Sequence, residues 1–357
     1  MLPDISSMTR EAIALLQQLI AIPSISRDEQ RAADCVQAYM DSLGLSPKRH
    51  GHNLWAIAPG YQAHRPTLLL NAHIDTVRPV SGWTRDPFTP TLTPDGRLFG
   101  LGSNDDGGSL VSLLQTYLWL SQKPQPYNLI FLASCEEEVS GRGGIESVLP
   151  LLPPITFGLV GEPTGMQPAI AEKGLMVVDV TAMGLAGHAA RDEGDNAIYH
   201  ALDDIQWVRQ HHFPQVSPLL GPVKMTVTIV QAGTQHNVIP DRCTFTIDVR
   251  SNELYTNEAL LSEIQAHLKG QAQARSTRLS SSSCPESHPL VQRAIALGRT
   301  PFGSPTLSDQ ALMHFPSMKM GPGESCRSHT ADEFIRPTEI EEAIRIYLQL
   351  LDGTDIR

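Results

Sequence analysis

The sequence predicts an α/β protein in two parts: a domain with a mostly parallel mixed sheet flanked by helices, and an inserted ferredoxin-like (βαββαβ) domain. Three observations carry this expectation. Short, wholly apolar strand candidates alternate with helical segments in the first half, the mark of a sheet covered on both faces. After Lys173 the strands alternate apolar and polar residues, as strands buried on one face do. The length of 357 residues leaves room for about two domains.

Taken in order, Ile13, Leu16, Leu19 and Ile20 recur at helical spacing over 8–20, and a second helix is predicted over 29–43. The run 67–72 reads as a buried strand ending at His73, and 108–120 as a buried helix. Residues 128–134 and 156–160 read as two further buried strands. In the second part, 176–182 alternates and a helix follows at 196–209. Residues 224–231 and 243–250 alternate again, a helix spans 257–268, and a weak strand lies near 276–280. Cys243, Phe245, Ile247 and Val249 fall on one side of their strand. The polar stretch 280–285 reads as a linker. Helices at 289–298 and 338–351 close the chain, the second between Pro337 and Gly353. This tail is too short for its own domain and is expected to return to the first. Residues 1–173 and 285–357 would then form one discontinuous domain and 174–284 the insertion.

Composition excludes several function classes. Lys and Arg total 27 against 38 Asp and Glu, a net charge of −11, which argues against a nucleic-acid-binding face. No apolar run approaches the ~20 residues of a membrane span, and the opening MLPDISSMTREA lacks a signal-peptide core. The five cysteines are scattered without a CxxC pair, as expected for reduced thiols in a cytoplasmic protein.

Chemistry-bearing residues cluster after the predicted strands, where open α/β sheets bind ligands. His73 and Asp75 follow the first strand, Glu136-Glu137-Glu138 the second, and Gly161-Glu162-Pro163-Thr164 the third. The glycine-rich run from Gly100 to Gly108, holding Asp105 and Asp106, leads into the buried helix. Ser328-His329-Thr330 follows a Gly-Pro-Gly turn near the C-terminus. Each alone has an ordinary reading, since a single histidine is usually packed and a Glu run usually solvated. The glycine loop lacks both common nucleotide-binding patterns, and its aspartates would repel phosphate. Together, two histidines and several carboxylates suit Zn²⁺, Co²⁺ or Mn²⁺, and bound cations would offset the carboxylates' mutual repulsion.

These motifs, HxD, GxGxxD, EE, GEPT and a late SHT, occur in an order that resembles the zinc-dependent amidohydrolases: acetylornithine deacetylase, succinyl-diaminopimelate desuccinylase, aminoacylase and the glutamate-releasing carboxypeptidase. The resemblance covers nearly the whole chain. It implies two Zn²⁺ per subunit, with Co²⁺ a possible substitute. His73, Asp105 and Glu162 would bind one ion, and Asp105, Glu138 and His329 the other, with Asp105 bridging. Asp75 would clamp His73 and Glu137 would be the general base, taking Glu136 as the family's usual Asp. The inserted domain would be a lid and dimerisation domain. Gly187-His188-Ala189-Ala190 matches its GHxA motif, whose histidine acts on the oxyanion in the partner subunit of a homodimer. Asn237 and Arg250 match lid positions that contact substrate, Arg250 as a fork for the α-carboxylate, although a structural ion pair is an equal reading. The segment Ser308-Asp309 and the turn Gly321-Pro322-Gly323 resemble elements lining the substrate pocket. Leu101 and Gly107 replace the family's usual Arg and Lys, neither of them a ligand. A cis peptide is expected after Asp105. The implied reaction removes the acyl group from a small N-acyl amino acid, acetyl- or succinyl-ornithine or -citrulline in arginine biosynthesis. A di- or tripeptidase with the same machinery is the alternative, and a non-catalytic metal-binding relic a distant third.

Overall fold

The computed structural model describes residues 3–191 and 193–357. It divides into two compact units, one of Met1–Ile170, Cys284–Phe302 and Ser308–Arg357, the other of Ala171–Ser283 and Gly303–Leu307.

The sheet of the first unit runs in the order Lys48–His50, Asn53–Ile57, Asn128–Ser134, Thr67–His73, Phe157–Val160, Ser317–Lys319. The last four of these run parallel, and the first two add antiparallel at one side. Every residue of Thr67–His73 and Asn128–Ser134 is buried, which is why these strands are apolar throughout rather than alternating. The helix Gly108–Leu120 is apolar nearly all round because it lies between the sheet and the helices Ile5–Ile20 and Pro337–Leu351. Leu16, Leu68, Leu113, Phe131 and Tyr347 belong to this single core.

The second unit has four antiparallel-paired strands in the order Lys224–Ala232, Arg242–Ser251, Gly174–Met183, Gln271–Ala274. With the helices Ala197–Gln210 and Asn257–His267 between them, the connection is ferredoxin-like. Val178, Phe245 and Ile247 from the sheet pack with Ala201, Val208, Leu260 and Ile264 from the helices.

One expectation needs correction, and one strand was not foreseen. The last strand of this unit is Gln271–Ala274, not 276–280. Its side chains are Gln and Ala, and only Ala272 is buried, so no hydrophobic pattern marks it. The residues after it instead tie to the start of a helix, where Asn257 Nδ2 donates to the carbonyls of Thr277 (2.9 Å) and Leu279 (2.8 Å). The strand Ser317–Lys319, paired with Phe157–Val160, has no counterpart among the sequence expectations. It is three residues long and mostly polar, and Lys319 is fully buried. Among the described residues no helix is long and apolar enough to cross a membrane.

Candidate metal centre

The parallel strands deliver the site. His73 ends Thr67–His73, Glu136–Glu138 follow Asn128–Ser134 after Cys135, and Glu162 follows Phe157–Val160 after Gly161. Gly161 is required by packing, because a Cβ there would fall 2.5 Å from the Ser109 Cβ. Asp105 sits in the wide turn Ser103–Gly107, entered through Gly102 at φ +76°, and the Asp105–Asp106 peptide is cis, as the family pattern implies. Glu136 and His329 hold left-handed backbone conformations (φ 54° and 59°), unusual for residues with side chains and common where function fixes the chain.

Asp105 lies between the two histidines. Its Oδ1 is 3.2 Å from His73 Nε2 and its Oδ2 is 3.6 Å from His329 Nε2. His329 Nε2 is also 2.8 Å from Glu138 Oε2, and His73 Nε2 is 3.9 Å from Glu137 Oε2. Two groups of potential ligand atoms converge: His73, Asp105 and Glu138, and His73, Glu137 and Glu162. The chain thus brings together all five ligands expected from the sequence, and it places Glu137 among them.

The electrostatics are those of crowded, buried charge. Burial pushes the Glu137 carboxyl well up; His73 opposes this, while Glu162, Asp309 and Glu138 add to it. Glu138 is raised chiefly by burial, against its bond to His329. Burial would raise Asp105 too, but the hydrogen bond and charge of His73, with Ser328 and His329, hold it below its usual value. The bond to Glu138 raises His329 to about 9. Glu138 Oε1 is buried without a hydrogen-bond partner, which a cation would supply. Imidazole mixed with carboxylates suits Zn²⁺ or Co²⁺, so the donor set fits a pair of divalent metals.

Neighbouring residues hold these loops. Asp75 departs from the expected clamp, because His73 Nδ1 lies 2.8 Å from the Asp75 backbone carbonyl and 3.6 Å from its carboxylate. The Asp75 carboxylate instead accepts from the backbone N–H of Glu137 (3.0 Å) and Glu138 (3.2 Å) and from Ser26 Oγ (2.7 Å). Glu29, fully buried, accepts from the N–H groups of Arg27 and Glu136, and its other oxygen lies 2.7 Å from His52 Nδ1. Together with Cys135 these two form a third group of potential ligands, but its carboxylate already serves as a brace for the Glu136 turn. Sequence reasoning missed Glu29 and Glu333, since each is a lone carboxylate outside any spaced motif.

Asp309 is 4% exposed and accepts from Asn71 Nδ2 (2.9 Å) and Ser134 Oγ (2.6 Å). Burial pushes its pKa up to about 6 against those two bonds. The folded pKa therefore exceeds the unfolded value of about 3.9. The associated stability is complete below pH ~4 and is lost as pH rises through about 6. We expect Asp309→Asn to gain stability over the wild type by about 1–1.5 kcal/mol as the metal-free proteins are moved from pH 5 to pH 7.5. Paired thermal unfolding curves check this, and a gap independent of pH would contradict it.

The expected substrate contacts fare unequally. Ser308 is buried and caps the turn Asp309–Leu312, accepting from Gln310 N–H. The Gly323 carbonyl accepts from Gly165 N–H (2.7 Å), bracing the Gly-Glu-Pro-Thr loop. In the second unit His188 pairs with Val238 in a short ladder, and Ala189 N–H donates to the Asn237 carbonyl (3.0 Å), so the His188 and Asn237 segments lie together. Arg250 does not present a free fork. Its Nε and Nη2 bind Asp248 at 2.8 and 3.1 Å, the structural ion pair, and a substrate role would require exchanging that partner.

The profile of the peptidase family M20/M25/M40 matches residues 69–353. The chain belongs to that family. Members of M20 are metal-dependent hydrolases of amide and peptide bonds, and the matched span contains His73, Asp105, Glu138, Glu162 and His329. Among solved structures, the chain is similar to a tripeptidase from Staphylococcus aureus (20% identity, 96% of this chain and 97% of that one, TM-score 0.75). It is similar to aminopeptidase PepT from Bacillus cereus (18%, 96% and 98%, 0.76) and to a dinuclear metal-binding M20 peptidase from Bacillus subtilis (17%, 97% and 98%, 0.72). At these identities the likenesses establish the M20 fold.

Proposed function

We propose that this M20 protein is a dinuclear-metal amidohydrolase that cleaves small N-acyl amino acids, with acetyl- or succinyl-ornithine or -citrulline as the leading substrates. The observation that carries the dinuclear part is the Asp105 carboxylate, with one oxygen toward His73 and the other toward His329. His73 and Glu162 would hold one Zn²⁺ or Co²⁺, Glu138 and His329 the other, and Asp105 both. Bound metals supply a Lewis acid and water acidic enough to ionise near pH 7.

Glu137 is the proposed general base. Its carboxyl is buried and pushed up in pKa, which suits a group that takes a proton from water and later returns it. As water adds to the amide carbon and the C–N bond breaks, that proton passes from Glu137 to the departing amine, leaving a carboxylate and a free amino acid. Asp75 orients the base through the Glu137 and Glu138 amides. His188, in the GHxA segment, would hydrogen-bond the oxyanion in the partner subunit's site, making the working form a homodimer. A monomer in light scattering, with full activity, would contradict that role.

A second reading, hydrolysis of di- or tripeptides, is favoured by the similarity to the tripeptidase and to aminopeptidase PepT. Both readings share the metals and the base and differ in what receives the substrate's N-terminal side. Amine release by the zinc-loaded protein separates them, using Nα-acetyl- and Nα-succinyl-ornithine, the citrulline analogues, succinyl-diaminopimelate and several dipeptides. The proposal expects preference for an acylated ornithine or citrulline. Turnover of peptides alone would select the second reading, and silence with two metals bound would contradict both.

A further inference from the structure

The turn that carries Asp105 is held from behind by a carboxylate outside every motif above. Glu333 is 2% exposed and lies four residues beyond His329. Its Oε1 accepts from the backbone N–H groups of Asn104 (2.8 Å) and Asp105 (2.9 Å), and its Oε2 from Gly102 (3.2 Å). The Glu333 carbonyl accepts from Gly100 N–H (3.1 Å). Asn104 ties the same two segments from the other direction. Its Nδ2 donates to the Glu324 carbonyl and to Ser328 Oγ (both 3.2 Å), and its Oδ1 accepts from Glu324 N–H (3.0 Å).

Three N–H donors converging on two oxygens call for a group that only accepts. A carboxylate meets that need, whereas an amide would set its own N–H₂ against a donor. The consequence is that Asp105 and His329, far apart in sequence, are fixed on one braced frame. His73 and Glu162 are placed independently, by the ends of Thr67–His73 and Phe157–Val160. The Glu138 turn is held by Asp75.

We infer that Glu333 is a positioning residue that sets Asp105 relative to His329, and so governs the metal position those two share with Glu138 more than the one at His73 and Glu162. This rests on the dinuclear reading proposed above. Glu333→Gln keeps the size of the side chain and its bonds from Asn104 and Asp105, but presents an amide donor to the N–H of Gly102.

The test is calorimetric titration of the metal-free protein with Co²⁺, with the visible spectrum of bound Co²⁺ and the melting temperature of the metal-free form recorded in parallel. For Glu333→Gln we expect one of two Co²⁺ affinities to fall about 10–100-fold, the other to stay near wild type, and the Co²⁺ spectrum to change. Glu333→Asp should restore part of the loss. Asn104→Ser, which cuts the same tie from its other end and leaves Glu333 in place, should weaken the same position and serves if Glu333→Gln does not fold. Unchanged affinities would overturn the inference. So would equal weakening of both positions in step with the loss of melting temperature, since Glu333 would then only hold the fold. A wild type that binds one Co²⁺ would sink the dinuclear reading instead.

Discussion

Glu137→Gln should lower turnover about 10²–10⁴-fold, the usual contribution of a positioned general base, while leaving two metals bound and the fold intact. Gln has the shape of Glu and cannot accept the proton. The burial that pushes the Glu137 carboxyl up also means the folded protein gains by losing that charge, so the metal-free variant should melt no lower than wild type at neutral pH. The prediction is sharp because the structure offers Glu137 a competing role, its oxygen lying within the group formed with His73 and Glu162. If it were a ligand, metal content would fall with activity. Metal analysis and single-turnover kinetics on the same preparation separate the two, and surviving turnover with lost metal would move the base to another residue.

Asp105→Asn should have the opposite profile. Asp105 is the group placed between His73 and His329, so its loss should weaken both metal positions beyond the 10–100-fold typical of residues one step removed from a metal. It should also destabilise the metal-free protein at neutral pH. Both histidines and Ser328 hold the Asp105 carboxyl below its usual pKa, and a depressed carboxylate contributes stability above its unfolded pKa. Metal analysis and unfolding of the metal-free variant check both parts. An Asp105→Asn protein that retained two tightly bound metals would show that Asp105 is not shared.

The sequence revealed most where physics leaves a periodic or spaced signal. Thr67–His73 and Asn128–Ser134 are legible because a strand covered on both faces must be apolar throughout. The ligand candidates are legible because His73, Glu138 and Glu162 end or follow strands and because the motifs occur in the family's order. Gln271–Ala274 and Ser317–Lys319 are not, since their place is fixed by pairing with neighbours and not by their own pattern. The bracing carboxylates Glu29 and Glu333 were invisible for a similar reason. Each acts on a loop distant in sequence, and a lone Glu or Asp looks the same braced or solvated. Arg250 shows the converse, a residue whose motif position suggested substrate and whose geometry shows a bidentate bond to Asp248.

The most direct measurement is a crystal structure of the zinc-loaded protein with anomalous scattering at the zinc edge. The account predicts two peaks about 3.5–4 Å apart, the spacing of two-metal hydrolytic sites. Asp105 should bond to both, His73 and Glu162 to one, Glu138 and His329 to the other, with Glu137 bound to neither. One peak, or two peaks with Glu137 as a ligand and Asp105 on a single ion, would contradict it.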